Sequence, residues 1–178
     1  MDTPKIINFI WQGPFSIQEA ISEFSDSKKD YGLYQIYGTH SVNGTDNLLY
    51  IGKSEQNIFK YRLTSHQKDW IDMEVNEIKI FIGRVCGTNE LREKKWSEYV
   101  KEWDSLIDIA EKMLIYHTQP CYNVREKFIV PKFGEQEYII LNFGKRFRLP
   151  AEISTYFLKN HRNIEEMKAQ IWEYIEPA

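Results

Sequence analysis

An α+β fold is predicted by three features of this chain. Two runs rich in Tyr, Ile and Leu, Tyr31 to Tyr37 and Asn47 to Lys53, are bounded by Gly and Asn and read as an antiparallel strand pair. A third run, Asn76 to Val85, alternates Ile78, Ile80 and Ile82 with charged or polar residues, the pattern of a half-buried strand. Apolar residues at helical spacing then appear in Trp103, Leu106, Ile107, Ala110 and Leu114, on a helix that Pro120 must end.

Taken in order, residues 5–30 begin with Ile6, Ile7, Phe9, Ile10 and Trp11, turn at Gly13-Pro14 and continue as a short helix, a lead-in expected to pack on the main sheet. After the strand pair, Asn57 is placed to cap a helix over 58–71. Gly87 stops the third strand, and Asn89 opens a long helical stretch with Leu91, Trp96, Tyr99 and Trp103. The order up to Asn123 is therefore β-β-α-β-α-α. Beyond it, Tyr138 to Phe143 is a strand, Gly144 a turn, Phe147 to Leu149 a return strand, and Pro150 the start of a helix through Leu158. Asn163 and Glu166 form a capping-box pattern for a final helix to Ile175. Without a flexible linker, three parts are expected on one body: a lead-in (1–30), a central domain (31–123) and a β-hairpin plus helices (124–178).

Composition narrows the function. The 178 residues are 42% hydrophobic and 28% charged, which fits one ordinary globular domain with at most a small appendage. The start of the chain lacks a signal-peptide pattern and no run reaches the roughly 20 apolar residues of a membrane helix, so a soluble, cytoplasmic protein is expected. Cys86 and Cys121 fit a reducing compartment and exclude a Cys-rich zinc site. The net charge of −3 argues against strong nucleic-acid binding, because that affinity comes largely from Lys and Arg. Both ends are acidic, with three basic and five acidic residues in 1–31 and the same in 151–178. A local basic face is available around 125–148, where Lys145, Arg146 and Arg148, interleaved with Phe143 and Phe147, are candidate nucleic-acid contacts. His40, His117 and His161 read as structural.

The chemistry gathers in the central part. Gly32-Leu33-Tyr34 and Tyr50-Ile51-Gly52 sit on the two strands, joined by the loop carrying Asn43-Gly44. Lys53 and Ser54 follow directly. Arg62 and His66 are one helical turn apart, Glu111 lies at the margin of an apolar helix stripe, and Asn123 follows that helix. Hydrolysis of a phosphodiester needs an activated water, a cation on the phosphoryl oxygens and stabilisation of the transition state. A tyrosine becomes a competent base only beside a cation, Arg62 offers permanent donors to a phosphate, and His66 can shuttle a proton or bind the same phosphate. One carboxylate with waters and a substrate phosphate is a normal way to hold Mg²⁺.

In order and type, residues 31–123 resemble the GIY-YIG nucleases. The resemblance implies a small three-stranded antiparallel sheet flanked by helices, and DNA hydrolysis with one divalent cation, Mg²⁺ or Mn²⁺. It implies that Tyr34 positions the nucleophilic water, Tyr50 is the general base, Arg62 stabilises the phosphate, and His66 matches the histidine of many members. Glu111 is then the metal ligand and Asn123 a supporting residue. Gly32 and Gly52 serve close packing, Lys53 can touch the DNA backbone, and Leu33 replaces the usual Ile. The acidic charge and the lack of a recognisable DNA-reading motif keep a second expectation open, a catalytically silent GIY-YIG-like module for nucleic-acid binding or assembly. RNA as the substrate is not separable by sequence.

Overall fold

Alternation builds the first strand. Along β1 (Lys5–Phe15), Ile7, Phe9 and Trp11 are buried on one face while Ile10 and Gln12 are exposed on the other. A computed structural model gives the structure of residues 3–26, 30–54, 58–74, 77–85 and 96–156, with side chains of the long helix described from Asp104 onward. Asn57, Asn76, Cys86, Gly87, Asn89, Leu91 and His161 lie outside these residues. So do the side chains of Trp96, Tyr99 and Trp103, and the final helix expected from Asn163 and Glu166.

After β1 come α1 (Ile17–Glu23), β2 (Gly32–His40), β3 (Gly44–Ser54), α2 (Phe59–Asp69), a 3-10 turn (Ile71–Met73), β4 (Lys79–Val85), α3 (Trp96–Thr118), β5 (Tyr138–Gly144) and β6 (Glu152–Ser154). The strands form one sheet in the order β3-β2-β4-β1-β5-β6. It is mixed: β1 runs antiparallel to β4 and parallel to β5. The sheet curls into a half-barrel, and α3 touches β3 at one edge and β6 at the other. Ile7, Phe9, Trp11, Leu33, Tyr37, Ile51, Phe81, Ile140 and Ile153 pack on the α3 side. Tyr34, Ile36, Ile80 and Ile82 pack on the opposite face with α1 and α2. No helix among the described residues is long and apolar enough to cross a membrane.

The fold is α+β, but the expected small three-stranded antiparallel sheet is wrong. Strands β3, β2 and β4 are antiparallel neighbours, yet they are half of a six-stranded sheet. The physical reason is the far edge of β4: a bare edge leaves a row of unpaired backbone groups, and β1 takes it, from Phe9↔Val85 to Phe15↔Ile80. Residues 5–15 are therefore an interior strand rather than a lead-in packed on a finished sheet. Gly13-Pro14, read as a turn, instead falls where the register shifts between Gln12 and Phe15.

The return strand is also displaced. Phe147 has φ 52°, which takes the chain out of extended geometry, and Leu149 drops into the core, so pairing resumes only at β6, with Ile139↔Ser154 and Leu141↔Glu152. Glu152–Ser154 is consequently strand where a helix from Pro150 was expected. The ring of Phe147 lies stacked on Phe81, 5.2 Å between centres, and edge-on to Tyr37.

Candidate active site

The two motif glycines explain how the tyrosines are seated. Tyr34 on β2 is paired with Gly52 on β3, and a Cβ on Gly52 would lie 2.3 Å from the Tyr34 hydroxyl. Only glycine lets that phenol lie across the edge strand. Gly32 has φ 141° and a Cβ there would meet the carbonyl of Gly83 at 2.2 Å, so it is required for the close approach of β2 to β4. Asn123 holds the same stretch of β3 from outside. Its amide donates to the Ile51 carbonyl and its oxygen accepts from the Ile51 N–H, both at 2.9 Å, pairing the backbone between Tyr50 and Gly52.

Around this strand the site assembles from four elements. Tyr34 is 0% exposed, and its hydroxyl is 2.7 Å from Nε2 of His66 on α2. The indole N–H of Trp70 donates to His66 Nδ1 at 3.2 Å. An indole can only donate, so Nδ1 must accept, and the neutral ring then carries its proton on Nε2 and donates it to Tyr34. Arg62, one turn earlier on α2, also hydrogen-bonds Tyr34. Tyr34 thus receives two donors and keeps its own hydroxyl proton to give elsewhere. The rings of Tyr34 and Tyr50 are stacked 6.2 Å apart, and Tyr50 lies 4.8 Å from the His66 ring.

Electrostatics assign protonation states. Burial, then the neighbouring Tyr50, pushes Tyr34 far above the ordinary phenol range, with Arg62 pulling the other way. Burial and then the charge of Glu111 raise Tyr50, again against Arg62. Burial and Arg62 together hold His66 down to about 4, so it is neutral at neutral pH. With Nδ1 engaged by Trp70 and Nε2 by Tyr34, His66 acts in this arrangement as a positioning donor.

Glu111, on α3, has a side chain only 16% exposed and is within electrostatic reach of Tyr34, Tyr50 and Arg62. Lys53, at the end of β3, lies 2.5 Å from Asp108 and 3.7 Å from Glu111, while Asp108 also pairs with Lys112 at 2.7 Å. Among the described residues no group of three or more His, Cys, Asp or Glu is placed to hold a metal ion. A site built on one carboxylate with waters and substrate oxygens fits Glu111 and does not need such a group. The nearby ammonium of Lys53 partly neutralises that carboxylate.

Tyr34, Tyr50, Arg62, His66, Glu111, Lys53, Gly52 and Asn123 therefore share one neighbourhood. Lys145, Arg146 and Arg148 do not join it: Arg146 is tied to the Leu149 carbonyl, and Arg148 stacks on Phe147, whose ring lies on the sheet face opposite Tyr34. Arg148 belongs instead to a cleft of about 460 Å³ with Tyr37, Asn47 and His117. Two members of the site were not singled out from the sequence, Trp70 and Asp108. Each stands one turn from a residue that was, Trp70 four after His66 and Asp108 three before Glu111, and that spacing is the signal that could have found them. No family model, no curated protein and no solved structure matches the chain.

Proposed function

We propose that this chain is a divalent-cation-dependent endonuclease that hydrolyses DNA phosphodiester bonds, as the GIY-YIG enzymes resembled by its motifs do. One observation carries the reading: Tyr34, Tyr50, Arg62, His66 and Glu111, on β2, β3, α2 and α3, bring a phenol pair, a guanidinium, a neutral imidazole and a carboxylate into one neighbourhood. Arg62 supplies fixed positive charge and donors for a phosphate. The chain of hydrogen bonds from Trp70 through His66 to Tyr34 orients the fully buried Tyr34 hydroxyl beside Arg62 and Tyr50. Tyr50 is the candidate base. Its phenol is held protonated by burial and by Glu111, so the phenolate that could take a proton forms only as positive charge offsets that carboxylate. A hydrated Mg²⁺ or Mn²⁺ held by Glu111 would polarise a phosphoryl oxygen and provide that offset.

The test is cleavage of supercoiled and branched DNA at low salt, with and without Mg²⁺ or Mn²⁺, by wild type, Arg62→Ala and Glu111→Ala. Expected is cutting that chelation abolishes and that each substitution lowers about 100-fold or more. Cutting that survives both substitutions would refute the site. The ion pair of Lys53 with Glu111 favours the second reading, a silent binding or assembly module. A folded protein that binds DNA but cuts none under any of these conditions would decide for it.

A further inference from the structure

A continuous path of aromatic rings leaves the candidate site and reaches the surface. Tyr50 is followed by Trp70 at 6.5 Å between ring centres, Trp70 by Tyr122 at 5.3 Å and 83°, and Tyr122 by His40 at 5.9 Å. These rings come from β3, the end of α2, the segment after α3, and the end of β2. Unlike the core aromatics, they are not sealed: Trp70 and His40 are half-buried and Tyr122 is 37% exposed. Val42, Met73 and Val124, in the segments 40–43, 70–74 and 121–124 that carry His40, Trp70 and Tyr122, are among the most exposed apolar side chains described.

Charge separates the two ends of the path. Arg62 and Lys53 stand at its inner end. The outer segments, 40–43, 70–74 and 121–124, carry Asp72 and Glu74 and no Lys or Arg. Glu74 accepts a hydrogen bond from the Tyr122 hydroxyl at 3.2 Å. Carboxylates beside the shelf repel a phosphate backbone but tolerate a flat, uncharged group, and can accept from the amino edge of a base. Trp70 has a structural reason to be present, since it holds His66. Tyr122 has no such duty to a site residue.

We propose that Trp70, Tyr122 and His40 form a stacking shelf for an unpaired base of the DNA strand next to the phosphodiester held at Arg62, so that the preferred substrate is single-stranded or flapped DNA. A base inside a continuous duplex has both faces stacked on its neighbours and cannot use such a shelf, whereas every unpaired base offers a π-face to aromatic side chains. The proposal rests on the nuclease reading above for the phosphate at Arg62, and the experiment separates the two.

Binding in EDTA is measured for labelled DNA of one sequence in three forms, fully paired, single-stranded and flapped, with wild type, Tyr122→Ala and Tyr122→Phe. Cutting of the same three forms is followed with Mg²⁺, and thermal melting confirms that each variant is folded. Wild type is expected to bind the unpaired forms about 10-fold more tightly than the paired form. Tyr122→Ala is expected to fall to the paired level, and Tyr122→Phe, which keeps the ring and loses the bond to Glu74, to retain the preference. Equal binding of all forms by wild type, or a preference that Tyr122→Ala keeps, overturns the shelf; if cutting persists in that case, the nuclease reading stands without it. A preference lost in Tyr122→Ala but with no cutting of any form upholds the shelf and sinks the nuclease. Tighter binding of matched single-stranded RNA than of DNA overturns the choice of DNA.

Discussion

Protonating His66 would put a proton on Nδ1, facing the indole N–H of Trp70, and a cation beside Arg62. Burial and Arg62 accordingly depress its pKa to about 4. In the unfolded chain an ordinary histidine titrates near 6.5, so between these values the unfolded state binds more protons. The stabilising contribution of the neutral ring is complete above about pH 6.5 and is lost as pH falls through about 4. Because the ring is only partly buried, we expect about 1–2 kcal/mol of pH-dependent stability rather than the full shift. Urea unfolding from pH 7 to pH 4 should show it as an excess slope in wild type that His66→Gln lacks; equal slopes would refute the assignment. At this scale the sequence was informative because motif spacing encodes local geometry. Arg62 and His66 meet Tyr34 as their one-turn separation on α2 allows, and Gly52 is glycine because a phenol lies over it. Trp70 was hidden because an indole in a helix end is indistinguishable by type from a core residue.

Among the elements, β3 is one of the two edge strands of the described sheet, and its middle is protected by residues 121–123. Cys121 N–H donates to the Leu48 carbonyl, Tyr122 N–H to that of Leu49, and Asn123 brackets Ile51 with two side-chain bonds. Asn123→Ala leaves a buried N–H and C=O unpaired, which costs about 2 kcal/mol. We expect faster amide exchange at Ile51 and, on the nuclease proposal, slower DNA cleavage, since Tyr50 and Gly52 flank the loosened residue; unchanged exchange at Ile51 would show that Asn123 does not hold the strand. The strand pair β2–β3, the core of β4 and the helix ended before Pro120 were readable because alternation and helical spacing are local properties. The return strand was not. In Phe147 to Leu149 the same apolar spacing serves a loop whose side chains anchor on Phe81, Tyr37 and the α3 core, and pattern alone does not distinguish a strand from an anchored turn.

For the whole molecule, β1 is the piece on which the sheet closes. It joins β4 to β5 and brings Ile7, Phe9 and Trp11 under α3, with the Trp11 indole donating to Asn142 at 2.9 Å. Three fully buried side chains of this size are worth about 5–8 kcal/mol together, comparable to the entire stability of a typical domain of about 5–15 kcal/mol. The fragment 31–123, although it holds every motif residue, is therefore expected not to fold cooperatively. A sharp melting transition and dispersed amide NMR signals from that fragment would contradict this. The sequence by itself determined the α+β class, the motif residues and their placement on strands and helices, because each rests on a few neighbouring positions. Only the tertiary structure decided that the sheet has six strands, that residues 5–15 lie inside it, and that Lys145, Arg146 and Arg148 stand apart from the site. Those outcomes depend on pairings such as Lys5 with Tyr138, more than a hundred residues apart, chosen by which exposed edge and which apolar face each strand can satisfy.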